Sequence, residues 1–433
     1  MKKTICLCLF IAFSMFFFNS CQEEYEKAPE IEIQSPTRNQ LFEYGDTLFI
    51  RAKIKDEIPI KSVSVALLNE DRTPKSAQYK TDYHAKEINY YEEIPLNISK
   101  LETGNYFIHL FARNEYNSKS VFLPISIKGM RWQMTGAFLV TKASASQLKV
   151  IIINENGNLT DFATLPGDFL ASGMNIEYQS LVISGKSSGD LSVLSTIDGS
   201  LLWSRTNSQS SLHPYFQSLM VSDNRIFSGQ HNSTIQCYDF AGGLIFSYAL
   251  PGQRHAKNIL FTQNRLFAET QDVLGGTRRL IQFYSGSSSP ATDHTIIQEI
   301  VSWDYYNDRV LVFANVNNAG KIYTYNYQNN QFTLQKSTET PIVNATKKEG
   351  SHFFVACQDA VYLYDASVQN NLTKVINKAG IKNLFYNNYG EMLILHDTYN
   401  IYSYSVDTYQ MVDQFVSPNE ILNIHGRYSA LID

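Results

Sequence analysis

The sequence predicts an all-β chain: an immunoglobulin-like sandwich followed by a seven-bladed β-propeller closed by the C-terminal strands. Three observations carry this expectation. Residues 216–250 hold four short apolar runs, at 219–221, 225–228, 234–238 and 244–249, broken by Asp223-Asn224, His231-Asn232-Ser233 and Gly242-Gly243. Short runs rich in β-branched and aromatic residues and bounded by Asn, Asp, Gly and Ser form strands joined by tight turns, so this stretch reads as a four-stranded antiparallel meander. The meander also recurs. An apolar residue three places before a tyrosine appears at Ile235/Tyr238, Ile281/Tyr284, Ile322/Tyr325, Val361/Tyr364 and Ile401/Tyr404, with tyrosine steps of 46, 41, 39 and 40 residues. A turn between the first and second runs keeps the same step, from Asp223-Asn224-Arg225 and Gln263-Asn264-Arg265 through Asn307-Asp308-Arg309, Glu349-Gly350-Ser351 and Asn388-Tyr389-Gly390 to His425-Gly426-Arg427. Two marks in phase, with four strands per step, are the signature of propeller blades. The third observation is that residues 30–127 carry strand patterns without either mark.

The steps average 41.5 residues, and the 303 residues from Arg131 to Asp433 hold close to seven of them. An open ring would leave two unpaired strand edges, and propellers avoid this by building one blade from both ends of the repeat region. The runs at 421–424 and 428–432 read as a first and second strand lacking a third and fourth. The runs at 148–153 and 159–165, turned by Glu155-Asn156-Gly157, read as the missing outer pair, with 137–141 as an alternative second strand.

Before the repeats, Lys2 and Lys3 precede an apolar run at 5–18 and then Asn19-Ser20-Cys21. A basic start followed by a short apolar run is a secretory signal, here 1–20, too short for a membrane span. Ser20 directly before Cys21 resembles the lipobox of bacterial lipoproteins, although Phe18 and Asn19 depart from its commonest residues. By that resemblance Cys21 is the lipidated first residue of the mature chain, and 21–29 is an acidic tether. Its Glu23-Glu24 looks like a signal used by some lipoproteins to reach the outer face of the outer membrane.

The strand candidates at 31–34, 47–54, 62–68, 89–98, 106–113 and 121–127 fit an immunoglobulin-like sandwich over 30–128. Leu101-Glu102-Thr103-Gly104-Asn105-Tyr106 resembles the tyrosine-corner region of fibronectin-type and PKD-like modules, in which a tyrosine hydroxyl ties a corner to the backbone. Together, the lipobox, this corner and the opening of the second domain at 136–141 and 147–165 resemble the PKD-like bacterial lipoproteins. The resemblance implies a propeller over 131–433 carried beyond a sandwich near the lipid, and a setting akin to surface glycan uptake.

Composition narrows function. The net charge of −5 offers no basic stripe, so nucleic acid is a poor partner. Of five cysteines, Cys6 and Cys8 leave with the signal and Cys21 takes the lipid, while Cys237 and Cys357 fall in apolar runs three blades apart and read as buried hydrophobes. No Cys/His spacing points to a metal, and no nucleophile elbow, phosphate loop or zincin motif appears. No cofactor is expected. Residues 196–203, TIDGSLLW, are similar to the Asp-Gly-x-x-x-Trp turn of quinone propeller repeats, where the tryptophan packs one blade on the next.

The turns between second and third strands share a ring face with the links between blades. That face collects His213, Gln230, His231, Asn232, Arg254, His255, Gln358, Asp359, His396 and Asp397. Amides and imidazoles offer donors and acceptors without strong charge, which suits a polar ligand such as a glycan, although such loops are polar wherever they are wet. His396-Asp397 offers an acid–base pair, but neighbouring residues on a strand point to opposite faces. No residue is assigned a catalytic role. The expected function is a lipid-anchored, non-enzymatic binding or scaffold protein of the outer membrane, exposed at the cell surface or facing the periplasm, and recognising a glycan or a protein partner. The alternative is a glycan lyase or hydrolase, or a quinone-type oxidoreductase, working on the same face.

Overall fold

A computed structural model describes residues 27–432 apart from 71, 99–100, 208–213, 223, 263–264, 308 and 369–370, with backbone alone at 131, 431 and 432. Every regular element among the described residues is a strand. The chain divides into two compact units, one reaching Arg131 and one spanning Trp132–Ala430.

The first unit is a six-stranded sheet over one core that includes Leu48, Ile50, Ile54, Val63, Ile88, Ile94, Ile108 and Ile125. Two runs expected as separate strands are halves of one strand, Thr47–Asn69. Its first half pairs with Glu30–Ser35 and its second with Gly104–Arg113, while Tyr79–Pro95 pairs along both. The register slips between Lys55 and Ile60, where Asp56 accepts from the Ile58 amide at 3.2 Å and from Asn114 Nδ2 at 2.7 Å. Local side-chain bonds thus absorb a bulge where the sequence suggests a turn. The Tyr106 hydroxyl donates to the Glu102 carbonyl at 2.7 Å, the bond expected of a tyrosine corner.

The second unit is seven four-stranded antiparallel sheets. Blades one to six cover 171–205, 216–249, 254–296, 299–337, 342–376 and 383–416. In blade two the observed strands are Phe216–Val221, Ile226–Gln230, Thr234–Tyr238 and Leu244–Ala249, within a few residues of the four runs read from the sequence. First strands of neighbouring blades touch one another, so they form the inner wall of the ring.

Blade seven joins the chain ends in the order Glu420–Ile432, Met130–Ser144, Gln147–Asn154, Leu159–Pro166. The C-terminus therefore supplies one strand, not two, and 137–141 is the second. The reason lies at Gly426. In blades one, four, five and six the turn between first and second strands carries a residue at positive φ: Gln179 at 46°, Asn307 at 46°, Gly350 at 51° and Glu391 at 48°. Gly426 has no such φ, and a Cβ there would meet the Tyr428 ring at 2.7 Å. The glycine makes room for a ring, and the strand runs straight on.

Seven apolar clusters each join two neighbouring blades, including Ile394, Ile401, Ile421 and Ile424 between blades six and seven, and Phe138, Val150, Leu181 and Ile183 between blades seven and one. The repeat tyrosines serve this packing: Tyr238, Tyr325, Tyr364 and Tyr404 are buried. Tyr284 is not, at 53% exposed; Phe283, one residue earlier, takes the inward place in blade three, and Arg265 lies over the Tyr284 ring at 4.7 Å. Cys237 and Cys357 are free and buried, and burial pushes both thiols up to about 11.

Candidate functional site

Strand direction alternates within each blade, so second-to-third turns and blade-to-blade links leave the ring on the same side. Gln230, His231 and Asn232, Gln358 and Asp359, and His396 and Asp397 lie at three such turns, and Arg254 and His255 open the first strand of blade three. His213 and Cys21 lie outside the described residues.

Several of these groups are engaged within the fold. Gln230 Nε2 donates to Gln236 Oε1 at 2.6 Å, and His255 Nε2 lies 3.1 Å from the His231 carbonyl oxygen. Gln230, His255 and His396 are all buried. Arg254 binds Asp272 at 3.2 Å and Asp293 at 2.8 Å, and Arg279 holds the other Asp293 oxygen at 2.6 Å. His396 bonds the Asp397 carbonyl through Nδ1 at 2.8 Å, not the Asp397 carboxylate, and burial lowers its pKa. The Asp397 carboxylate closes its own turn, accepting from the Asn400 and Tyr399 amides at 2.8 and 2.9 Å and from the Tyr402 hydroxyl at 2.8 Å. Burial opposes its ionisation, yet these bonds hold it down at about 2. Asp359 accepts from the Thr340 and Tyr362 hydroxyls, with Lys374 at 3.7 Å; the Thr340 bond leads in lowering its pKa. Asn232 and Gln358 remain exposed.

On the same side, Asp168 reaches across to the turn after Ser184. Its Oδ1 accepts from the amides of Lys186, Ser187, Ser188 and Gly189 at 2.9–3.0 Å. Successive amides converging on one point form an anion nest, and here the chain's own carboxylate fills it. Those bonds outweigh burial and hold Asp168 below the usual carboxylate range.

The inner wall carries what sequence reasoning missed. Side chains of the first strands link blade to blade in a polar belt. Asn258 Nδ2 donates to the Ile300 carbonyl at 2.6 Å, and Ser302 Oγ to the Ala345 carbonyl at 3.1 Å. Asn344 donates to Asn383 Oδ1, Asn383 Nδ2 to Asn423 Oδ1 at 2.7 Å, and Asn423 Nδ2 to Ser172 Oγ at 3.0 Å. His425 Nε2 lies 2.8 Å from the same Ser172 hydroxyl; burial, then the nearby His396, pushes its imidazole down to about 4, so it is neutral. A signal existed: Asn344, Asn383 and Asn423 recur at 39 and 40 residues, the blade step itself.

Lys257 brings a cation to this belt. Lys257 sits at a bulge between Ala256 and Asn258, and its Nζ donates to Gln217 Oε1, an uncharged partner, at 3.1 Å. Burial, then the neighbouring Lys186 and Arg278, lowers its pKa. The nearby carboxylate, Glu269, is fully buried and already bound by Arg278 at 2.6 Å and Asn258 at 2.8 Å.

Trp203 is structural. Its indole donates to the Phe240 carbonyl at 2.9 Å and packs on Tyr238 with ring centres 5.8 Å apart, joining blade one to blade two. Tyr305, Tyr306 and Tyr386 on the first strands are half-buried, and Tyr389 in the turn that follows Tyr386 is exposed.

No family model matches the chain, and no curated protein matches it. Similar solved structures include a quinoprotein alcohol dehydrogenase-like protein from Bacteroides thetaiotaomicron, with 11% identity, 92% of this chain and 99% of that one covered, and a TM-score of 0.48. AztD from Citrobacter koseri, in its apo form, gives 10% identity, 69% and 98% coverage and a TM-score of 0.47. BamB from Moraxella catarrhalis gives 12%, 69% and 89%, and 0.39. These are propeller-type proteins.

Proposed function

We propose that this chain is a lipid-anchored, non-enzymatic binding protein of the outer membrane, carried at the cell surface. In this reading residues 30–128 form an immunoglobulin-like spacer, and the channel mouth with its surrounding turns receives a glycan. The observation that supports it most is the belt of amides and hydroxyls around the inner wall, with the ammonium of Lys257 set beside it. Fixed neutral donors and acceptors match sugar hydroxyls, and one desolvated cation favours a glycan bearing a carboxylate. A glycosidase of the usual kind needs two carboxyl groups free to act across the scissile bond. Asp168, Asp359, Asp397 and Glu269 are instead each committed to internal bonds.

Calorimetric titration with a galacturonic acid tetramer and its neutral galactose counterpart tests this. The acidic tetramer binds the native protein more tightly, and Lys257→Met weakens it about tenfold while leaving the neutral one unchanged. Failure of both tetramers to bind, or an unchanged acidic affinity in the variant, contradicts the reading.

The anchor is tested separately. Cys21→Ala is expected to move the protein from the membrane fraction to the soluble one with its melting temperature unchanged. Among the described residues no helix is long and apolar enough to cross a membrane. Membrane attachment that survives the substitution shows that lipid on Cys21 is not the anchor. Protease shaving of intact cells then reports whether the ring faces outward.

A further inference from the structure

The seam between blades six and seven holds a cavity of about 340 Å³, within the range of small-molecule sites. Its origin lies in the repeat. In blades two to six, one aromatic residue of the third strand faces the preceding seam, opposite an apolar residue of the second strand. The pairs are Tyr238 with Ile226, Phe283 with Leu266, Tyr325 with Val310, Tyr364 with Phe353, and Tyr404 with Leu393. Each of these rings is buried in its seam. Blade seven has Ile153 opposite Ala137 at this place. Blade one has Leu194 opposite Leu181, but Phe138 and Phe162, with ring centres 5.1 Å apart, fill that seam from the other side. The fully buried members of the six–seven seam include no aromatic residue. Ala137, Ile153, Met392, Ile394, Ile401 and Phe415 line the space that is left. Protein interiors are close-packed, so a gap of this size is a defined feature of this seam.

We propose that this cavity is a binding site for a small arylalkyl amine, whose ring takes the place that a tyrosine or phenylalanine holds in five other seams. The polarity of the opening sets the other end of the ligand. Glu155 and Asp413 stand there beside Asn154 and Asn387, and no lysine or arginine is among the described lining residues. A protonated amine is attracted by that opening and a carboxylate is repelled. The site is independent of the channel mouth.

Tyramine and 4-hydroxyphenylacetate share a phenol ring and differ in the sign of the tail, so calorimetry and thermal shift with the full mature protein separate ring from charge. Tyramine is expected to bind about tenfold or more tightly than the acid and to raise the melting temperature. Ile153→Tyr restores the repeat's own ring; it raises the melting temperature without ligand and weakens tyramine at least about tenfold. Should that variant not fold, the exposed pair Glu155→Gln and Asp413→Asn decides, because it leaves the core untouched and is expected to erase the preference for the amine. Absence of tyramine binding at millimolar concentration overturns the proposal. So does undiminished binding by a folded Ile153→Tyr protein, or a preference that survives the loss of both carboxylates.

Discussion

A chain stopped at Asn419 is expected to aggregate or to melt far below the intact protein. The deletion removes the strand Glu420–Ile432, which is the inner strand of blade seven. Ile421 and Ile424 are buried against Ile394 and Ile401 of blade six, and Leu422 packs towards blade one. At roughly 1.5–3 kcal/mol per fully buried aliphatic side chain, the two isoleucines alone contribute about 3–6 kcal/mol, against about 5–15 kcal/mol for a whole domain. The deletion also exposes the edge of Met130–Ser144, an invitation to pair with another chain, and removes Asn423 from between Asn383 and Ser172. Differential scanning calorimetry with light scattering checks this. A truncated protein that stays monomeric and keeps its melting temperature would show that the ring does not depend on its last strand.

Arg278→Met is expected to cost about 3–5 kcal/mol, the penalty for leaving a buried charge without its partner. Glu269 is fully buried, and its other partners, Asn258 Nδ2 at 2.8 Å and the Ile300 amide at 3.3 Å, are neutral. Burial already raises the Glu269 pKa in the native protein against the pull of Asn258 and Arg278. Losing the guanidinium raises it further. A carboxyl whose pKa is raised on folding stabilises below its unfolded pKa of 4.5 and loses that contribution as pH rises through the folded value. The deficit of Arg278→Met is therefore larger at pH 8 than at pH 5, as read from urea unfolding. Adding Glu269→Gln recovers most of it. A loss under about 1 kcal/mol at both pH values would mean that Arg278 is not what holds the buried carboxylate.

The blades were legible in the sequence because their determinants are local. Strand alternation and turn residues lie within one meander, and the 40-residue step is set by four short strands and their turns. Trp203 was legible for the same reason, since its turn has a recognisable form. The second strand of blade seven was not. Residues 137–141 and 428–432 are both apolar runs, and the choice depends on pairing between segments almost 300 residues apart, which no local pattern reports. The long strand Thr47–Asn69 was divided because a bulge held by Asp56 looks like a turn. The candidate face was legible as a set of turns, but not which side chains the fold consumes: His396 and Asp397 adjoin in sequence, yet the imidazole bonds the Asp397 backbone carbonyl while the carboxylate takes the Tyr402 hydroxyl. The inner belt was harder still. Bulges after Phe216, Ala256 and Ile300 shift which first-strand residues meet the channel, so Gln217 and Lys257 reach it against simple alternation.

Hydrogen exchange measured with and without the galacturonic acid tetramer tests the channel mouth as a binding surface most directly. The account predicts slowed exchange in the first strands and the turns of that face, centred on Gln217, Lys257 and Lys186, with none in residues 30–128 and none at the opposite turns around Tyr389. Protection confined to the outer strands or to the first unit, or none at ligand concentrations that saturate the calorimetric signal, would contradict it.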